Sequence, residues 1–187
     1  MIISLDSLYK DHDNLRKVLY LFEQLVIDIY RGNSQDYQSL QRILVYIQEY
    51  PDRVHHPAED VMFSVILSNA SCTRKYREDI NTLMRDHSEI EDMTRKAIAA
   101  VESQLVSSQP DISGIGTHLS TLLNRQRSHL LFEEMNIYPY IEDYLDEEAW
   151  EQVSALYSSD EDPLFGDNVK TGYENVLKAL LSYKGSD

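Results

Sequence analysis

Leu5, Leu8, His12, Leu15, Leu19, Phe22, Val26 and Ile29 follow one another at alternating intervals of three and four residues without a miss. That spacing sets every one of these side chains on a single face of one helix, interrupted only by a histidine. Arg31-Gly32-Asn33 ends the run with a cation and then a glycine able to take positive φ, a common helix stop. Only 6 Gly and 5 Pro occur in 187 residues, so the chain has few places to break and long helices are expected throughout.

The rest of the sequence agrees. A second helical region runs from about Asp36 to Leu67, with Pro51 and Pro57 inside it; each proline removes an N–H and is expected to kink or divide it. Its later half, Val61-Met62-Phe63 and Val65-Ile66-Leu67, is apolar on nearly all sides and should be deeply buried. Asn69 to Thr73 reads as a turn. Tyr76, Ile80, Leu83, His87, Ile90, Thr94, Ala97 and Val101 define a third helix. Ser107-Ser108-Gln109-Pro110-Asp111 reads as a loop. Ile115, Leu119, Leu122, Gln126, His129, Glu133 and Ile137 define a fourth helix, with Pro139 near its end. Four long helices with short connections predict an all-α fold, an up-down-up-down antiparallel four-helix bundle over residues 1–145. Residues 146–187 read as a C-terminal helical cap: a short helix around Trp150, Val153 and Leu156, an acidic turn-rich loop, and a last helix carrying Tyr173, Val176, Leu177, Leu180 and Leu181.

Charge narrows the partners. Lys+Arg is 17 and Asp+Glu is 32, a net charge of −15, which argues against nucleic acid and anionic membranes because both demand a positive face. No run is long enough to span a membrane. The N-terminus, MIISLDSLYKDHDN, lacks a basic stretch and does not read as a signal peptide. Cys72 is the single cysteine, which excludes an internal disulfide and any multi-cysteine metal site and makes a reducing cytoplasm the expected home.

The chemistry lies in the histidines. His12, His87 and His129 each occupy a core position in a stripe set by apolar neighbours. A satisfied core histidine is the ordinary reading of any one of them. Three together need many polar partners inside a small bundle, because an unpaired buried polar group is costly, and a metal ion supplies such a partner. Two further pairs strengthen the case. His55 precedes Glu59 by four residues, and His129 precedes Glu133 by four. On a helix such pairs share a face, roughly 5–6 Å apart at Cβ. Four helices thus offer His12, His55 with Glu59, His87, and His129 with Glu133, two of the carboxylates being able to bridge. Imidazole with carboxylate suits iron, manganese or zinc. His56 pairs with Asp60 at the same spacing, so His55 and His56 compete for one role, the unused ring being expected outside the site or in solvent. His118 lies 129 − 118 = 11 residues before His129, roughly 16 Å along a helix and too far to share its metal. The 13 tyrosines read mainly as fillers with a polar tip, although one near a metal could gate oxidants.

The order H…HxxxE…H…HxxxE, carried by His12, His55-His56-Pro57-Ala58-Glu59-Asp60, Asp86-His87 and His129-Leu130-Leu131-Phe132-Glu133-Glu134, resembles the hemerythrin-like HHE cation-binding family over about residues 5–143. The resemblance implies a non-haem centre of two iron ions, bridged by Glu59 and Glu133 and by an oxo or hydroxo group. It favours His55 with Glu59 over His56. The family's oxygen carriers hold a second histidine four residues after the one on the third helix, and an aspartate five residues after the one on the fourth; Glu91 and Glu134 stand there in this chain. Glu91 is then either an additional ligand or a solvated charge, and Glu134 is a further candidate. The departures place the chain nearer the family's bacterial members linked to nitric-oxide stress, iron-centre repair or peroxide removal. The function implied is binding or processing of O₂, NO or peroxide, which includes a weak oxidoreductase. The alternatives are an iron-storing or iron-donating protein and a metal-free interaction module.

Overall fold

Ser4 opens the first helix of the computed structural model, which describes residues 4–32, 36–107, 112–157 and 160–182. The Ser7 backbone N–H donates to Ser4 Oγ at 3.2 Å, and the Ser4 N–H donates to Ser7 Oγ at 3.0 Å. This reciprocal cap satisfies donors that a helix start otherwise leaves orphaned. Helix α1 (Leu5–Tyr30) then runs to Gly32, whose φ of +69° is the expected stop. Asn33 lies outside the described residues.

The second helical region is divided. Helices α2 (Tyr37–Glu49) and α3 (His56–Ser68) are joined by a single π turn, Pro51–His55. The His55 N–H reaches back five residues to the Tyr50 carbonyl at 3.0 Å. Pro51 marks the break as expected. Pro57 does not, because it falls in the first turn of α3, where a helix needs no donor. Helix α4 (Arg74–Leu105) starts at Thr73, whose side chain accepts from the Tyr76 N–H. Helix α5 (Ile112–Asn136) passes into a 3-10 turn, Tyr138–Asp143, at Pro139. Helices α6 (Glu147–Leu156) and α7 (Glu174–Ser182) complete the chain. Residues 108–111 of the expected loop and 183–187 beyond the last helix lie outside the described residues. Among the described residues there is no strand, and no helix is long and apolar enough to cross a membrane.

The long helices pack in a closed ring: α1 on α2, α2 on α4, α4 on α5, and α5 on α1. Their apolar side chains form two clusters rather than one. Along α1, Leu8 belongs to one cluster, and Leu15, Leu19 and Phe22 belong to the other. Along α4, Ile80 and Leu83 precede, and Ile90 and Ala97 follow, in the same sense. Along α2–α3 and along α5 the order is reversed: Leu44, Ile47 and Val54 lead to Met62 and Phe63, and Leu119 and Leu122 lead to Ile137. In each of these four runs a histidine stands where one cluster gives way to the other. The C-terminal segment joins both. Helix α6 packs on α3 with Val153 in one cluster; α7 packs on α1 and α2, with Leu164, Tyr173 and Val176 in the other. A buried bond from Tyr46 Oη to Asp162 Oδ2, 3.1 Å, ties this segment to α2.

Candidate metal centre

The layer between the two clusters is polar. His12, His55, His56, Glu59, His87, His129 and Glu133 are all buried there, with Glu59 and Glu133 at 0 % exposure. Their donor atoms gather in overlapping groups: His12, His55 and Glu59; Glu59, His87, His129 and Glu133; and His56, His87 and His129, each within 4.8 Å. Glu133 faces both sides, with Oε2 3.3 Å from His12 Nε2 and Oε1 3.4 Å from His87 Nε2 and 3.1 Å from His129 Nε2. Glu59 Oε2 stands 3.5 Å from both His55 Nε2 and His87 Nε2. The structure thus brings together His12, His55, Glu59, His87, His129 and Glu133.

His56 is buried at the site as well, neither outside it nor in solvent. Its ring stacks on that of His87 at 4.4 Å and 5°, and meets His129 edge-on at 5.2 Å. The choice between His55 and His56 therefore dissolves. They are consecutive residues at the end of the π turn, and they reach opposite halves of the layer: His55 the His12 half, His56 the half of His87 and His129. Glu91 is exposed on α4 and belongs to none of the groups. Glu134 belongs to none of them either, and His118 is exposed on α5.

Every histidine of the layer turns Nδ1 outward onto an acid. His12 Nδ1 meets Glu134 Oε1 at 3.0 Å; His55 Nδ1 meets Asp11 Oδ2 at 3.2 Å; His87 Nδ1 meets Asp60 Oδ1 at 2.8 Å. His129 Nδ1 lies 3.9 Å from Asp86 Oδ2, and His56 Nδ1 lies 3.7 Å from Asp52 Oδ1. At hydrogen-bond distance, as for His12, His55 and His87, an acid on Nδ1 orients the ring with Nε2 inward, as metal-ligating histidines require. Except for Asp52, each acid serves a histidine on the next element around the ring: α1 to the π turn, α3 to α4, α4 to α5, α5 to α1. Several acids are held in turn. Arg16 binds Glu134, Arg125 Nη2 is 2.5 Å from Asp86 Oδ1, and Tyr50 Oη donates to Asp11 Oδ1 at 3.2 Å.

The electrostatics ask for a cation. His12 Nε2 and His55 Nε2 are 3.1 Å apart, close enough to share one proton or one metal ion. Glu59 Oε2, Glu133 Oε2 and both ring nitrogens of His56 and His129 are buried with no hydrogen-bond partner. Burial opposes charge on His12, but hydrogen bonds to Glu133 and Glu134 outweigh it and lift its pKa to about 9. Burial likewise opposes charge on His87, and Asp60 and Glu133 lift it to about 10. Burial raises Glu59, whereas the surrounding imidazoles hold Glu133 well below the usual carboxylate range. The carboxylates draw protons onto the buried imidazoles, and a metal ion can take the place of those protons against the same carboxylates.

Residues 4–141 match the hemerythrin HHE cation binding domain. The chain belongs to that family. The match spans α1 to the 3-10 turn, the same stretch that carries every histidine and acid of the layer. Neither the comparison with curated proteins nor that with solved structures finds a match. For an HHE domain, the residues that motif reasoning passed over are the outer acids Asp11, Asp52, Asp60 and Asp86, and Tyr138. The acids left a trace: Asp11 and Asp86 each precede a histidine, and Asp60 follows Glu59. Each serves a ring on another element, so sequence adjacency did not disclose the partner. Tyr138 left none, being one tyrosine among 13.

Proposed function

We propose that this HHE domain is a non-haem di-iron protein that binds or processes O₂, NO or peroxide. The observation that carries this reading is the division of the donors into two groups that share Glu59 and Glu133, a pair of carboxylates placed to serve two ions at once. His12 and His55 would hold one iron; His56, His87 and His129 would hold the other. Two iron ions there supply one-electron redox chemistry and coordination positions for a small ligand. The protein's part is to orient the imidazoles through the outer acids, to keep the glutamates dry between two apolar clusters, and to leave the two-histidine ion with fewer imidazoles than its neighbour. That asymmetry favours an incoming small molecule at the His12–His55 side.

The alternation of cluster order along successive helices supports reading the ring as an up-down-up-down antiparallel four-helix bundle, residues 1–145, with 146–187 as a cap. Burial of this many ionisable groups disfavours a metal-free interaction module, which would carry their desolvation for no return. A cytoplasmic setting fits the single buried Cys72.

The test is reactivity. The reduced, iron-loaded protein is exposed separately to O₂, NO and hydrogen peroxide while its visible absorption is followed. A rapid spectral change with at least one of the three is expected; an iron-loaded protein inert to all three overturns the reading.

A further inference from the structure

Tyr138 enters the same layer from outside the motif. It begins the 3-10 turn that follows α5, and it is 0 % exposed. Its Oη lies 2.9 Å from His12 Nε2 and 2.5 Å from Glu59 Oε1, and its ring stacks on that of His12 at 5.0 Å and 26°. Its ring also packs against Tyr9 in a T-shaped contact at 5.0 Å.

Hydrogen bonds hold this placement in the metal-free chain, and its spacing also fits a metal ion. A phenol has one proton, and Glu59 Oε1 takes it. Without metal, protonated His12 gives its Nδ1–H to Glu134 and its Nε2–H to Oη, so that one proton stands on each contact at the place an ion's donors would occupy. Tyr138 Oη, His55 Nε2 and Glu133 Oε2 all surround His12 Nε2 at spacings that suit donors to a common ion. Donors at about 2.1 Å from a metal and at right angles to each other lie about 3.0 Å apart. Oη to His12 Nε2 is 2.9 Å, His12 Nε2 to His55 Nε2 is 3.1 Å, and His12 Nε2 to Glu133 Oε2 is 3.3 Å.

We propose that Tyr138 is a protein ligand of the two-histidine iron, its phenolate oxygen holding the position that an incoming small molecule must take. On ferric ion binding the O–H bond breaks, the O–Fe bond forms and the proton leaves to solvent, as protons leave other protein ligands. No electron moves in this step. The His12–His55 half then has Tyr138, two imidazoles and two shared carboxylates, matching the donor number of the His56–His87–His129 half. The proposal rests on the di-iron reading, and its test separates the two.

The wild-type protein and Y138F are loaded with ferric iron and analysed for metal, visible absorption and resonance Raman scattering, with Y9F as control. Wild type and Y9F should show a phenolate-to-iron charge-transfer band, with tyrosine ring modes enhanced on excitation into it. Y138F should retain two irons per chain, lose the band and the modes, and bind azide about tenfold more tightly, because the competing ligand is gone. Two irons in the wild type without tyrosine modes would overturn the ligand assignment and leave the di-iron reading standing. No bound iron in the wild type would overturn both. Should Y138F fail to fold, the wild-type Raman spectrum decides by itself.

Discussion

Glu134 Oε1 meets His12 Nδ1 at 3.0 Å, on the side of the ring away from the other donors, and Arg16 holds Glu134 from the surface. Hydrogen bonding to His12 keeps the Glu134 carboxyl near a pKa of about 2, against the cost of its partial burial, with Arg16 adding to the effect. Glu134 thus stays anionic and aims His12 rather than joining the donor groups. Second-sphere partners of this kind typically contribute 10–100-fold in metal affinity. Glu134→Ala should therefore weaken iron binding by about 10–100-fold while two irons still bind at saturation. Competition with a chelator of known affinity checks both quantities.

The donor groups predict a graded series of stoichiometries. Glu133→Ala removes the residue that faces both halves and should drop iron content below one per chain. His56→Ala should lose only the iron of the His87–His129 half, leaving about one. Glu91→Ala, at an exposed position, should leave two. Elemental analysis of the three variants purified side by side decides; an H56A protein that keeps two irons would return His56 to a packing role.

Stability should respond to rising pH only when the metal is absent. The pKa values of His12 and His87 are raised to about 9 and about 10 in the fold. Their contribution is therefore fully present below about 6.5, the value in an unfolded chain. Between these limits the folded chain binds more protons than the unfolded one, so stability falls as pH rises. The chelated protein should melt at progressively lower temperature from pH 6.5 to 10, whereas the iron-loaded protein, whose ligands have already shed their protons, should not. Calorimetry across that range, on both forms, checks the sign. A chelated protein whose melting temperature rises with pH would mean that these imidazoles are neutral in the fold.

The helices were legible because a 3-4 spacing of apolar residues has only one regular solution, and α1, α4 and α5 follow it closely. The paired motifs disclosed His55 with Glu59 and His129 with Glu133, since i and i+4 share a face within one helix. Three things were not legible. His55 and His56 read as rivals for one role, because the sequence did not show that the layer has two halves and that neighbouring rings at the junction of the π turn and α3 each reach one of them. The outer acids were hidden because Asp11, Asp60, Asp86 and Glu134 each act on a neighbouring element. Tyr138 was hidden because nothing local distinguishes the one tyrosine that a 3-10 turn carries inward.

Polar contacts from Tyr157, Lys170, Gly172 and Tyr173 tie the C-terminal segment to the bundle, and the Tyr46–Asp162 bond is the buried one. Tyr46→Phe removes the hydroxyl and leaves Asp162 with its backbone donors at Leu164 and Phe165. The loss should cost about 1–2 kcal/mol. For a chain of this size that is a fall in melting temperature of about 2–8 °C. The change lies away from the donor groups, so iron content should be unaltered. Thermal denaturation with parallel metal analysis distinguishes a local anchoring role from a wider one.

The central claim is a pair of ions held between shared carboxylates, and X-ray absorption at the iron edge of the purified, iron-loaded protein tests it most directly. The account predicts two irons per chain, a first shell of nitrogen and oxygen alone, and a clear iron–iron scattering shell. A single isolated ion would contradict it. So would the absence of bound iron, with a melting temperature that chelation leaves unchanged.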